Sequence, residues 1–342
     1  MFDVDGAILE TPGKPPDSKL KDSLRHGAYP AIEYKGLLFT YMGPSDEQPE
    51  FPILDTFETP GNEMIPYCVW YPCNWLQVHE NIVDPAHAYF LHSTMSTVQF
   101  SDAWAEMPTL DWEETPDDQG VYYITVRRIE DRVWVRSSHV WLPNIGQIGG
   151  LLEKAEKEKS FNRVSITRWT VPIDDTHCWI MGWRHVNDDV DPFHESRREE
   201  CGYDAVDFYG QTQHHTYEEA QRVPGDWDVQ VSQRPIAVHT LEHLGETDLG
   251  VAMWRRVVRK AIRGETEITW QRPRPDDEPV HTYTHDTVLQ LPNSPQLSDH
   301  DVLKKIGREV LGANLEGDQC QGAARQARIE ECLESVKAKY GA

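Results

Sequence analysis

The chain has 342 residues, and 33 Lys and Arg against 57 Asp and Glu leave a net charge of −24. So acidic a surface repels phosphate backbones and anionic lipid heads, which argues against nucleic acid and membrane surfaces as partners. Its ordinary use is solubility, and acidic patches also suit the steering of a basic electron carrier. The six cysteines form no CxxC pair and are no disulfide framework. The opening MFDVDGAILE has neither the basic nor the apolar part of a secretory signal. No apolar run approaches the ~20 residues that cross a bilayer, so a cytoplasmic protein is expected.

In chain order, Phe2–Leu9 reads as a hairpin turning at Asp5-Gly6. TPGKPPDSK is a proline-rich loop, and AIEYKGLLFTYMGP supplies two more short strands around Lys35-Gly36. Together these are too little to bury a core of their own. Residues 46–60 are acidic and proline-punctuated, a linker or an edge segment, so a division into 1–60 and 61–342 is expected. Residues 74–92 fit a helix ending near His92. GVYYITVRRI, RVWVRSSHVWL, NRVSITRWTVPI and HCWIMGWRHV then alternate at near period two between Asp, Gly and Pro, which predicts one antiparallel sheet. LLEKAEKEK (151–159) reads as a short charged helix or a loop, and 194–222 as polar and helical in part. TDLGVAMWRRVVRKAIRG is an amphipathic helix with Gly264 at its C-terminal end, and the tail from about residue 297 is helical and charged.

Chemistry concentrates in NWLQVHENIVDPAHAYFLHS, where Asp84, His87 and His92 stand as D-x2-H-x4-H. Two neutral imidazoles with one distant carboxylate make the facial triad of non-haem Fe(II) oxygenases, with open positions left on the metal. On a regular helix five residues turn the second imidazole to about 140° from the first. A shared metal therefore predicts a local break near Tyr89–Leu91. Two histidines five apart are otherwise ordinary surface or core residues.

The segment CNWLQVHENIVDPAHAYFLHS resembles the iron-site helix of Rieske non-haem iron oxygenase large subunits. It is most similar to the phthalate dioxygenase-like branch, and within it to 5,5'-dehydrodivanillate O-demethylase oxygenase components. The likeness runs from FDVDG and AYPAIEYKGLLFTYMGP to the helix after Asp248. It implies iron held by His87 and His92, and Asp84 as the carboxylate bridging the iron site to the cluster of a neighbouring subunit. Asp84, three residues before His87, would accept a hydrogen bond from it and fix its tautomer. The third ligand it implies is Asp248, with Glu242 and Glu246 behind it. His239 and His243 at i,i+4 have metal-compatible spacing but read as exposed, and His214-His215 is a weak signal.

The family's Rieske [2Fe-2S] cluster needs C-x-H followed by C-x2-H, and neither occurs in this chain. In the family a strand like FDVDG follows the second pair closely, and here it begins at Phe2. An N-terminal truncation after the cluster ligands is therefore expected, with residues 1–60 as cluster-domain remnant and linker. The fold class is α+β: an incomplete β-rich remnant, then a helix-grip catalytic domain with a large antiparallel sheet and covering helices. The implied partners are dioxygen, an aromatic substrate to be hydroxylated or O-demethylated, and a reductase or ferredoxin. The implied assembly is a homotrimer when intact. Without a cluster, the chain alone is expected to be inactive with NADH and reductase. Met95, Phe100 and Trp104, just after the ligand helix, are pocket candidates. The rival readings are a helix-grip ligand-binding protein without redox activity and a structural zinc protein.

Overall fold

A computed structural model describes all residues except 93–105, 151–160, 189, 191–197, 204–215, 223, 271–277, 294, 296–298 and 342. The backbone separates into two compact units, one spanning Met1–Phe51 and a far larger one that begins at Pro52.

In the first unit the Asp5-Gly6 turn closes a short hairpin. Gly6 takes φ +78°, and the N–H groups of Asp3 and Leu9 donate to the carbonyls of Ala7 and Met1, both at 2.9 Å. After a single helical turn, α1 (Leu20–Ser23), strands β1 (Ala31–Tyr34) and β2 (Leu37–Thr40) pair antiparallel. Lys35 and Gly36 between them both have positive φ, 46° and 82°, as a tight two-residue hairpin turn requires. Leu37 is buried here, whereas Val4, Leu38 and Met42 stand exposed. So short a stretch cannot cover its own apolar side chains.

The second unit is built on a nine-stranded antiparallel sheet. Its strands are β3 (Glu63–Tyr71), β4 (Thr109–Glu114), β5 (Gly120–Ile129), β6 (Arg132–Trp141), β7 (Ile145–Gly149), β8 (Phe161–Asn162), β9 (Val164–Asp174), β10 (His177–Val186) and β11 (His285–Gln290). The spatial order runs β3-β10-β9-β7-β6-β11-β8, and β4-β5 extends from the other edge of β6. The alternation seen in the sequence becomes two buried faces. On β5 and β6, Ile124, Val126, Val133 and Val135 pack under α7 (His300–Glu316) and α8 (Gly322–Tyr340). Gly307 lets α7 settle on the sheet, because a Cβ there would lie 2.7 Å from Val126 and 2.8 Å from Ile124.

Val121, Tyr123 and Val140 point to the opposite face, under Ile82, Val83 and α6 (Leu249–Ile262). Gly264, at φ +71°, follows α6 as its left-handed terminator. The same face carries α2 (Trp75–Glu80), α3 (Ala86–Leu91) and α5 (Asp226–Ser232). Of the polar region 194–222, a 3-10 turn at Arg198–Glu200 and α4 (Tyr217–Arg222) are helical. LLEKAEKEK lies outside the described residues. Among the described residues, no helix is long and apolar enough to cross a membrane.

Candidate metal centre

The expected single helix over 74–92 is two helices. α2 starts under the Asn74 cap, whose side chain accepts from the Leu76 N–H at 2.9 Å. A 3-10 turn at Asn81–Val83 follows, and Asp84 leaves helical geometry at φ −108°, ψ 78°. Pro85 explains the break, since it disfavours helical conformation at the residue before it and has no N–H to give back. The break thus falls before His87, and α3 runs unbroken through the Tyr89–Leu91 stretch where it was expected. His87 lies in the first turn of α3 and His92 caps its end. Their rings still come together edge to face, with centroids 5.2 Å apart.

Asp226, the first residue of α5, completes the group. Its Oδ1 lies 3.6 Å from Nε2 of His87 and 3.6 Å from Nε2 of His92. One donor atom from each of the three residues falls within 4.8 Å of the others, the one such metal-capable group among the described residues. Asp226 Oδ1 is buried without a hydrogen-bond partner. Burial opposes its charge, but His92, His87, Arg168 and a hydrogen bond from Asn81 prevail and hold the carboxyl below its ordinary value. Burial also drives the His92 imidazole down to about 4, against the pull of Asp226, so His92 is neutral and offers a lone pair. At His87, Nδ1–H donates to the Asp84 backbone carbonyl, and Asn81 Nδ2 donates to Nε2 at 3.3 Å. The lone pair of His87 is therefore on Nε2, the nitrogen 3.6 Å from Asp226 Oδ1.

Asp248 does not join the imidazoles. Its Oδ2 accepts from the Gly245 N–H at 2.7 Å, closing the 3-10 turn Glu246–Asp248 that leads into α6. It lies near enough to Asp84 to help burial raise that carboxyl. The fallback Glu242 is taken up by Arg255, whose Nη1 donates to it at 2.6 Å, and Glu246 stands in the exposed turn with Asp248. His239 is half exposed beside Glu242, and His243 is exposed. The bond expected from His87 to the Asp84 carboxylate goes instead to the Asp84 carbonyl, with Oδ2 3.9 Å away. Met95, Phe100, Trp104 and His214-His215 lie outside the described residues.

What places Asp226 is the packing of α5 on α2. Buried Gln77 donates to the carbonyls of Gln230 (3.0 Å) and Arg234 (2.9 Å) and accepts from the Ala237 N–H (2.9 Å). Trp227 Nε1 donates to the Trp70 carbonyl at 2.9 Å. The segment is pinned twice more. Glu80 receives Arg255 of α6, and the Val83 carbonyl accepts Trp112 Nε1 at 3.0 Å. A Cβ on Gly250 would lie 2.3 Å from that carbonyl and 2.2 Å from Trp112 Nε1, so α6 approaches only because the residue is glycine. The one local trace of Asp226 in the sequence is Gly-Asp-Trp-Asp after Pro224, an acidic helix start in which Asp228 accepts from the Gly225 N–H.

No family model matches the sequence. The tert-butanol monooxygenase / tert-amyl alcohol desaturase oxygenase subunit of Aquincola tertiaricarbonis is 42% identical over 355 aligned positions, covering 98% of this chain and 75% of that one. The 5,5'-dehydrodivanillate O-demethylase oxygenase subunit of Sphingobium sp. (strain NBRC 103272 / SYK-6) is 30% identical over 281, covering 78% of this chain and 61% of that one. A special likeness to the demethylase is therefore not supported, since the first relative is more similar. The chain spans three quarters of the first relative and less than two thirds of the second. Dicamba monooxygenase, solved with dicamba bound, superposes with a TM-score of 0.52 at 16% identity over 77% of each chain, which speaks for a common fold.

Proposed function

The chain belongs to the oxygenase (alpha) subunits of the Rieske non-haem iron oxygenases, and from that premise we propose that His87, His92 and Asp226 hold one mononuclear Fe(II). The observation that carries this is the convergence of two imidazole nitrogens on a buried carboxylate oxygen that nothing else satisfies. Such a donor set suits ferrous iron and leaves coordination positions open. Bound there, iron supplies the reductive activation of dioxygen. The protein's own part is orientation: the Asp84 carbonyl fixes the His87 tautomer, and burial keeps His92 neutral. Asp226 provides the single negative charge. Gln77 holds the carboxylate-bearing helix against the histidine-bearing segment.

The reaction is hydroxylation or O-demethylation of an aromatic compound, in the cytoplasm, with dioxygen and electrons from a reductase or ferredoxin. Asp84 serves as the bridging carboxylate toward the cluster of a neighbouring subunit in a trimer. Its side chain is partly exposed while its carbonyl grips His87. A Rieske cluster takes two cysteines and two histidines, and no such set occurs among the described residues, nor C-x-H or C-x2-H in the sequence. The residues of this chain therefore do not fit a cluster, and none is assigned to it. The test is metal analysis after anaerobic loading. One iron per chain, lost in His87→Ala and in Asp226→Ala, supports the ligand set, and full iron retention in either variant refutes it.

A further inference from the structure

One row of residues crosses the sheet in register beside the metal group: Tyr67 of β3, Gly182 of β10, Arg168 of β9, Gly146 of β7 and Val140 of β6. Residues directly opposite one another on antiparallel strands share a face. This is the face that carries the ligand segment, because a Cβ on Gly146 would lie 2.4 Å from Ile82 Cδ1, and Val140 and Ile82 share one apolar cluster. The register neighbours of Arg168 on both adjoining strands are thus glycines, which add no side chains of their own.

Arg168 is 5% exposed and Tyr67 3%. Nε and Nη2 of Arg168 and the hydroxyl of Tyr67 are buried without a hydrogen-bond partner. Among the described residues no carboxylate lies within ion-pair distance of Arg168. Buried cations and buried donors are otherwise almost always paired, because leaving them bare is costly. The Arg168 charge bears on Tyr67, Tyr71, His79 and Asp226. Burial lifts the Tyr67 phenol well above its ordinary value, so it stays a neutral O–H donor.

We propose that Arg168 and Tyr67 form a recognition site for a substrate carboxylate beside the His87–His92–Asp226 group, making the substrate an organic acid. This rests on the oxygenase reading above. Nε–H and Nη2–H form the side-on edge of the guanidinium, two parallel donors that match the two oxygens of a carboxylate, and Tyr67 adds a third donor. Anchored there, the acid keeps its other end toward the metal group, and its oxygens accept from these donors.

The experiment titrates the iron-loaded chain by calorimetry with benzoate, phenylacetate and acetate, and with benzyl alcohol and tert-butanol as neutral probes. The acids are expected to bind and to raise the thermal midpoint. Arg168→Met is expected to weaken them at least tenfold at unchanged iron content, and Tyr67→Phe several-fold. Arg168→Lys retains part of the affinity, having charge without the fork. Neutral probes do not distinguish the variants. Without ligand, Arg168→Met melts at or above the parent temperature, since it removes a buried unpaired cation. Equal acid affinity in parent and Arg168→Met, or no acid binding by the folded, iron-loaded parent, overturns the site. Should Arg168→Met not fold, Arg168→Lys and Tyr67→Phe carry the same comparison. A chain that takes no iron yet binds benzoate through Arg168 refutes the oxygenase reading and supports the carboxylate site.

Discussion

Replacing Arg255 by Met removes the cation that α6 presents to the metal-bearing segment and leaves the side-chain volume nearly unchanged. Arg255 donates to Glu80 at 2.5 and 2.7 Å and to Glu242 at 2.6 and 3.1 Å. Glu80 and Arg255 side chains are each 9% exposed and Glu242 26%. The Glu242 half, open to water, contributes about 0.5 kcal/mol. The Glu80 half is of another order, because its loss strands a buried carboxylate, for which about 3–5 kcal/mol is typical. Burial already raises Glu80 above the ordinary carboxylate value despite Arg255, and without the cation it rises further. The folded variant then keeps a proton that the unfolded chain releases near its ordinary value of about 4.3. Between that value and the raised folded value the folded state binds more protons, so stability falls as pH rises, by about 1.4 kcal/mol per unit. Urea unfolding of parent and variant at pH 5 and pH 8 should show a difference of about 3 kcal/mol or more at pH 8 and clearly less at pH 5. A difference under about 1 kcal/mol at pH 8, or the same at both pH values, would refute the reasoning.

Asp226→Ala should lose iron while Asp248→Ala keeps it, checked by metal analysis after anaerobic loading; the reverse would restore Asp248 as a ligand. Asp84→Asn should keep iron, because the Asp84 carbonyl that grips His87 is untouched, and should abolish coupled turnover in an enzyme supplied with a cluster domain; normal turnover there refutes the bridging role. Burial lowers His79, His139 and His285 to about 3 each, so in the folded protein they stay neutral where the unfolded chain takes up protons near 6.5. Stability is present above that value and lost as pH falls toward 3, by about 1.4 kcal/mol per unit per histidine; His139→Gln should flatten the slope of midpoint against pH by about one such share. The chain alone, loaded with iron, should give no product with reductase and NADH and slow product with hydrogen peroxide; NADH-driven product without cluster absorbance would contradict this.

Much of this protein was legible in local pattern, because local pattern is where its physics is local. Asp5-Gly6 and Lys35-Gly36 announce hairpins, since positive φ costs glycine little. Period two in GVYYITVRRI and its successors becomes the antiparallel sheet, and Gly264 ends α6 as its backbone freedom allows. His87 and His92 were legible as a pair from the D-x2-H-x4-H pattern, and their rings do meet. Pro85 carried the position of the helix break too, though the demand for a shared metal had put it near Tyr89–Leu91. The third carboxylate was of another kind. A metal group takes its members wherever three side chains converge, and no spacing rule ties a residue on α5 to one on α3. Among 57 acidic residues, charge does not single one out. Asp248 had the more conspicuous helix, but its carboxylate closes the turn at Gly245. In the structure Asp226 is the carboxylate that meets the two imidazoles, on a helix held by Gln77, a buried amide bonding across to α5, and an exchange of donors between distant segments is settled only when the chain has packed.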